Sequence, residues 1–127
     1  MTGKKPSLEE VLEQVNSLGD WDPPATSAND RAPYPSLDYP LHKVAIWGEV
    51  DAAEVLVAHG ADVNAPGEDD DRPLHRAHGR EMVIFLLSHG ADPDLTNMYG
   101  GKALRAKWRV DADIQALLPK ADDGSSA

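Results

Sequence analysis

His59-Gly60-Ala61-Asp62-Val63-Asn64 returns thirty residues later as His89-Gly90-Ala91-Asp92-Pro93-Asp94, and this pairing decides the fold. A second pair brackets it: Pro40-Leu41-His42 returns as Pro73-Leu74-His75, thirty-three residues on. Asn64 lies ten residues before Leu74 and Asp94 lies ten before Leu104, so the connecting segment keeps one length. A third copy opens at Ala103-Leu104-Arg105 and closes on Asp113-Ile114-Gln115-Ala116-Leu117-Leu118. Self-similarity at such a period marks a stack of short structural units, each burying its apolar face against its neighbours.

Each unit reads as a short helix, a turn, a longer helix and a glycine-stopped exit. Pro40 and Pro73 suit a first helical position, where the missing N–H would find no partner. Gly60 and Gly90 suit the residue just past a helix end, where a left-handed conformation lets the chain leave sharply. The longer helix of the middle unit, 81–88, carries Met82, Val83, Ile84, Phe85, Leu86 and Leu87. A helix that is apolar nearly all round must have neighbours on several sides.

Outside the repeated region the chain changes character. Residues 7–18 are predicted to form a capping helix: Ser7-Leu8-Glu9-Glu10 has capping-box spacing, and Leu8, Val11, Leu12, Val15 and Leu18 share a face. Residues 20–39 hold Pro23, Pro24, Pro33 and Pro35, interleaved with Trp21, Tyr34, Leu37 and Tyr39. Prolines at this density deny a helix or a central strand, so an extended strap packed along the domain is expected. Residues 121–127 are small and polar and are expected to be a disordered tail.

At 127 residues the whole chain reads as a single domain. Its longest apolar run, Met82–Leu87, is far short of the ~20 residues that cross a bilayer. No signal-type apolar stretch follows Lys4 and Lys5, so a cytoplasmic protein is expected. The absence of cysteine removes disulfides, thiolate nucleophiles and cysteine-ligated zinc. The net charge of -10 argues against nucleic acid or an anionic membrane as partner and favours a basic one. That charge is segregated. Between Lys43 and Asp71 the acids are Glu49, Asp51, Glu54, Asp62, Glu68, Asp69, Asp70 and Asp71, whereas Lys102, Arg105, Lys107 and Arg109 form a basic run.

Across residues 40–118 the motifs resemble the ankyrin repeat family, whose pattern is Thr-Pro-Leu-His, an apolar second helix, then Gly-Ala-Asp-Val-Asn. The resemblance implies an all-α solenoid of about three stacked helix pairs with short β-hairpin fingers. In it 7–18 is the N-terminal cap and the helix near 113–118 the C-terminal one. The chain also departs from the pattern. Tyr39, Arg72 and Lys102 replace the threonine, so its hydrogen bond to the following histidine is lost. Leu74 and Glu81 are three residues closer than Leu41 and Asp51, which shortens the first helix of the middle unit. The finger glycine is kept at Gly100 and replaced by Asp70 in the preceding copy.

No phosphate loop, nucleophile elbow or metalloprotease signature is present, and no catalytic residue, cofactor or metal is assigned. His42 and His75 take the family's structural histidine position. His59 and His89 precede matched glycines and should come near one another, but two imidazoles fall short of the three or four ligands of a zinc site. Glu68-Asp69-Asp70-Asp71 lacks the alternating ligands and central glycine of a calcium loop.

What the resemblance implies is a protein-binding module. Family members bind through finger tips and the C-terminal ends of the first helices. By position these are Asp38, then Glu68, Asp69 and Asp71, then Met98 and Tyr99, with Ile46 and Trp47 at the first helix end. Apolar and aromatic residues facing solvent are anchor types. The reading is a module, monomeric when unbound, that takes a basic protein on an acidic concave face. Its partner is either a cationic toxin, as for a bacterial immunity or antitoxin-type protein, or an enzyme served by an adaptor or regulatory subunit.

Overall fold

The computed structural model describes residues 5–118. The tail expected over 121–127 lies outside them. Two rows of helices run along the molecule. The outer row is α1 (Leu8–Asn16), α3 (Val50–Ala58), α5 (Arg80–Ser88) and α7 (Ala112–Gln115), each packed on the next. The inner row is α2 (Pro40–Trp47) and α4 (Pro73–Arg76), followed by α6 (Ala106–Arg109), which packs on α7.

Local chemistry accounts for these elements. Ser7 Oγ accepts from the Glu10 N–H at 3.1 Å and Glu10 Oε1 accepts from the Ser7 N–H at 2.8 Å, the reciprocal cap that starts α1. Val11, Leu12 and Val15 turn inward, while Leu18 falls past the end of the helix and is exposed. Pro40 and Pro73 open α2 and α4. At both starts a backbone N–H serves the histidine in the absence of threonine. The Tyr39 N–H donates to His42 Nδ1 at 3.0 Å, and the Arg72 N–H donates to His75 Nδ1 at 2.8 Å. Each ring then donates from Nε2 to the next finger, to the Asp71 carbonyl at 2.7 Å and the Gly101 carbonyl at 2.8 Å. The histidines therefore staple each inner helix to the finger that follows.

In the third unit no helix starts at Ala103. With Ala103 in place of proline and Arg105 in place of histidine, the staple is missing. Ala103 and Leu104 instead donate backbone N–H groups to Leu95 and Pro93, and α6 begins later.

The core follows the rows. Leu41, Val44, Ala53, Leu56, Met82, Leu86 and Ile114 are fully buried along the stack. In α5, Met82, Val83, Phe85, Leu86 and Leu87 are all buried, as a helix between neighbours requires. Among the described residues the fingers contain no regular strand; one isolated antiparallel bridge joins Thr96 to Lys102.

The strap is more than a cover. Trp21, Ala25, Ala28 and Ala32 are buried, and Trp21 Nε1 donates to the Asp30 carbonyl at 2.9 Å. Asn29 Oδ1 accepts from the Asp62 N–H, just as Asn64 Oδ1 accepts from the Asp92 N–H one unit later. The strap thus takes the place of a finger belonging to an incomplete first unit whose outer helix is α1. Tyr34 departs from the expectation of packed rings: it is 83% exposed.

Candidate functional site

The second finger turns tightly at residues 67–71. The Gly67 N–H donates to the Asp71 carbonyl at 2.8 Å, and Asp69 and Asp70 both adopt φ 61. Gly67 is set by close approach: an added Cβ would lie 2.5 Å from Asp38 Oδ1 and 2.7 Å from His42 Nε2. The third finger is organised by Asn97, whose Oδ1 accepts from the Tyr99 N–H at 3.0 Å and the Gly101 N–H at 2.9 Å. This cage holds Met98 and Tyr99 at the tip, 60% and 76% exposed. The Met98 N–H donates to the Asp69 carbonyl at 2.9 Å, so the acidic tip and the apolar tip lie side by side.

Two of the sequence-derived site residues do not belong to this surface. Asp38 is 2% exposed. Its Oδ1 accepts from the Glu68 N–H at 3.0 Å, and its Oδ2 pairs with Arg76 at 2.7 Å and Lys43 at 3.3 Å. Asp71 is also engaged inside the stack, with Arg76 at 3.0 Å and the Asn97 side-chain amide at 2.9 Å. A carboxylate committed to such partners cannot be presented to another protein without losing them. Glu68, Asp69, Met98 and Tyr99 remain on the finger surface. Ile46 is 41% exposed at the end of α2, and Trp47 is half-buried against the core.

Sequence reasoning missed Lys43, Arg76 and Asn97, which hold the fingers in place. A signal for the buried carboxylates was available: Asp38 and Asp71 each stand two residues before the proline of their unit. Matched positions in a repeat more often serve the stack than a partner.

The electrostatics of this joint are well defined. Burial raises the Asp38 carboxyl, but Arg76 and the Glu68 N–H outweigh it and hold the group below the usual range. Burial likewise opposes the charge on Arg76, and Asp38 and Asp71 overcome it. His42 goes the other way. Burial pushes it down to about 4, against the pull of the Asp71 carbonyl and the Asp38 charge. The geometry requires the neutral ring, because a proton on Nδ1 would face the Tyr39 N–H.

His59 and His89 come together as their spacing implies, lining one cleft with Lys5 and Glu54. Each Nδ1 is satisfied by the carbonyl four residues earlier in its own helix, at 2.8 Å and 2.9 Å. Among the described residues no three His, Asp or Glu side chains gather in a way that holds a metal. The basic run is largely spent on the last unit: Arg109 pairs with Asp94 at 3.0 Å and Arg105 reaches the His75 carbonyl at 3.3 Å.

Comparison with known proteins fits this architecture. A family described as ankyrin repeats (3 copies) matches residues 11–97, more than half of the chain. The chain belongs to the ankyrin repeat family. The matched span begins inside α1, so it takes in the capping helix and the strap as well as the paired motifs. The chain is 38% identical over 68 residues to BCL-6 corepressor-like protein 1 of Homo sapiens, covering 51% of this chain and 4% of that protein. It is 34% identical over 67 residues to protein phosphatase 1 regulatory subunit 27 of Homo sapiens, covering 50% of this chain and 44% of that protein. The chain therefore spans less than half the length of each. Ankyrin repeats are protein-interaction modules, and among the described residues no helix is long and apolar enough to cross a membrane.

Proposed function

We propose that this ankyrin stack binds a basic protein on the surface formed by its second and third fingers. The observation that carries the reading is the Met98 N–H to Asp69 carbonyl bond, which joins an acidic tip to an exposed apolar one. Acidic residues there speed encounter with a cationic partner, and Met98 and Tyr99 supply area that becomes buried on docking. Ile46 and Trp47, at the helix-end position the family uses, extend the apolar part of the face. The similar proteins, a corepressor-like protein and a phosphatase regulatory subunit, favour an adaptor or regulatory role. The immunity version rests on acidity alone.

The test is capture from a native lysate, run in parallel with the parent and a Met98→Ser/Tyr99→Ser variant. Basic proteins retained by the parent should be depleted from the variant. An unchanged set would overturn this binding face.

A further inference from the structure

The strap, which lies outside the paired repeat motifs, builds a second feature beside the fingers. A cleft of about 440 Å³ lies where the strap meets the second finger, lined by Asp20, Asp22, Tyr34, Pro35, Lys43 and Glu68. Its charges are not equally available. Lys43 is shared between Asp20 at 2.9 Å and Asp38 at 3.3 Å, and its side chain is only 16% exposed. Among the described residues Asp22 and Glu68 have no basic partner. The cleft therefore keeps an excess of negative charge at its mouth.

The ring of Tyr34 is the second component. It stands 83% exposed between Pro33 and Pro35, whose fixed φ limits the freedom of the backbone that carries it. Ordering such a ring on binding costs little when its backbone is already restricted. Other aromatic rings in this molecule already have a cation over them: Arg31 lies 5.6 Å from the Tyr39 ring centroid and Lys107 lies 5.1 Å from that of Trp108. The Tyr34 ring has no such cover among the described residues.

We infer that this cleft is a docking subsite for one arginine side chain of the partner protein. The inference rests on the proposed basic partner and adds where its anchor sits. A guanidinium is planar and weakly hydrated, so it can stack on the Tyr34 ring while its N–H fork reaches the Asp22 and Glu68 carboxylates. A lysine ammonium, compact and strongly hydrated, would gain less from the ring. The subsite is composite, with the ring and one acid from the strap and the other acid from the second finger.

The probe is capped arginine (Nα-acetyl-arginine methylamide), titrated into ¹⁵N-labelled protein at low salt, with capped citrulline and capped lysine as controls. Capped arginine should shift the amides of residues 20–22, 34–36 and 68 along one saturable curve. Citrulline should shift none of them, and lysine should bind more weakly. Tyr34→Ala and Asp22→Asn alter exposed positions, and each should weaken the fitted affinity at least about threefold. Shifts spread equally over distant acids such as Glu9, Glu13 and Asp51 would overturn the inference. So would equal binding of arginine and lysine, or variants that bind like the parent. Met98→Ser/Tyr99→Ser should leave capped-arginine binding intact. If that variant loses the partner while the probe fails at the cleft, the finger face stands and the subsite falls.

Discussion

Acidifying the protein should remove a defined part of its stability through His42 alone. In the folded stack the ring is 0% exposed, accepts at Nδ1 from the Tyr39 N–H and donates from Nε2 to the Asp71 carbonyl. Asp38, Asp71 and Arg76 are the charged groups around it, and burial still lowers its pKa from 6.5 to about 4. The unfolded chain takes up this proton first as pH falls. The His42 contribution is therefore fully present above about 6.5, is lost progressively toward about 4, and changes little below that. A shift of this size corresponds to about 3 kcal/mol, since one pKa unit is worth ~1.4 kcal/mol. The assay is urea unfolding followed by circular dichroism across that window, comparing the parent with His42→Gln. The variant should start less stable, and its stability should fall by about 3 kcal/mol less than the parent's over the same range. Relief of net negative charge on acidification acts on both proteins and cancels in the comparison. Carbon-detected imidazole NMR gives a direct reading on the parent, where the His42 resonances should stay unshifted from neutral pH to well below 6. Parallel stability profiles, or a His42 ring that titrates near 6.5, would refute the reasoning.

Leu86→Ala removes a fully buried side chain from the middle of the outer row and should cost about 2–5 kcal/mol in a denaturant melt. A parent-like midpoint would contradict the packing of α5. Asp38→Ala should cost about 3 kcal/mol, the low end for a broken buried pair because Arg76 keeps Asp71 and Lys43 keeps Asp20. An unchanged midpoint would mean that the joint between strap and fingers is not stabilising. Asp70 has φ 61 where the next finger has Gly100 at φ 82. Asp70→Gly should therefore leave stability within about 0.5 kcal/mol, while Asp70→Val should lose about 1–3 kcal/mol to left-handed strain. Equal stability of the two variants would exclude that strain.

How much of this was legible beforehand depended on which residues repeat. The matched Pro-Leu-His and His-Gly-Ala-Asp segments place α2, α3, α4 and α5, and the capping box places α1, because each rests on chemistry local to its own segment. The helix of the third unit starts later than the spacing implies, since Ala103 and Arg105 replace the proline and histidine that set a helix there. At the candidate site, the exposed Met98 and Tyr99 follow from their place at a turn. Asp38 and Asp71 look the same in sequence as Glu68 and Asp69. What separates them is contact with Arg76, thirty-eight residues from Asp38, and with Lys43, and their matched place two residues before each proline is the one sequence sign of it. The strap's role as a finger was also hidden, because the contact Asn29 shares with the later units comes without their repeated sequence motif.

The central claim is that the acidic finger steers a basic partner onto this face, and association kinetics test it most directly. With the captured partner, association and dissociation rates are measured over a range of salt for the parent and for Glu68→Ser/Asp69→Ser/Asp70→Ser. Attraction at a distance is screened within about 10 Å at 0.1 M salt. The variant should therefore associate more slowly at low salt and show a shallower salt dependence, while its dissociation rate changes less. A variant that associates like the parent at every salt concentration would contradict the claim.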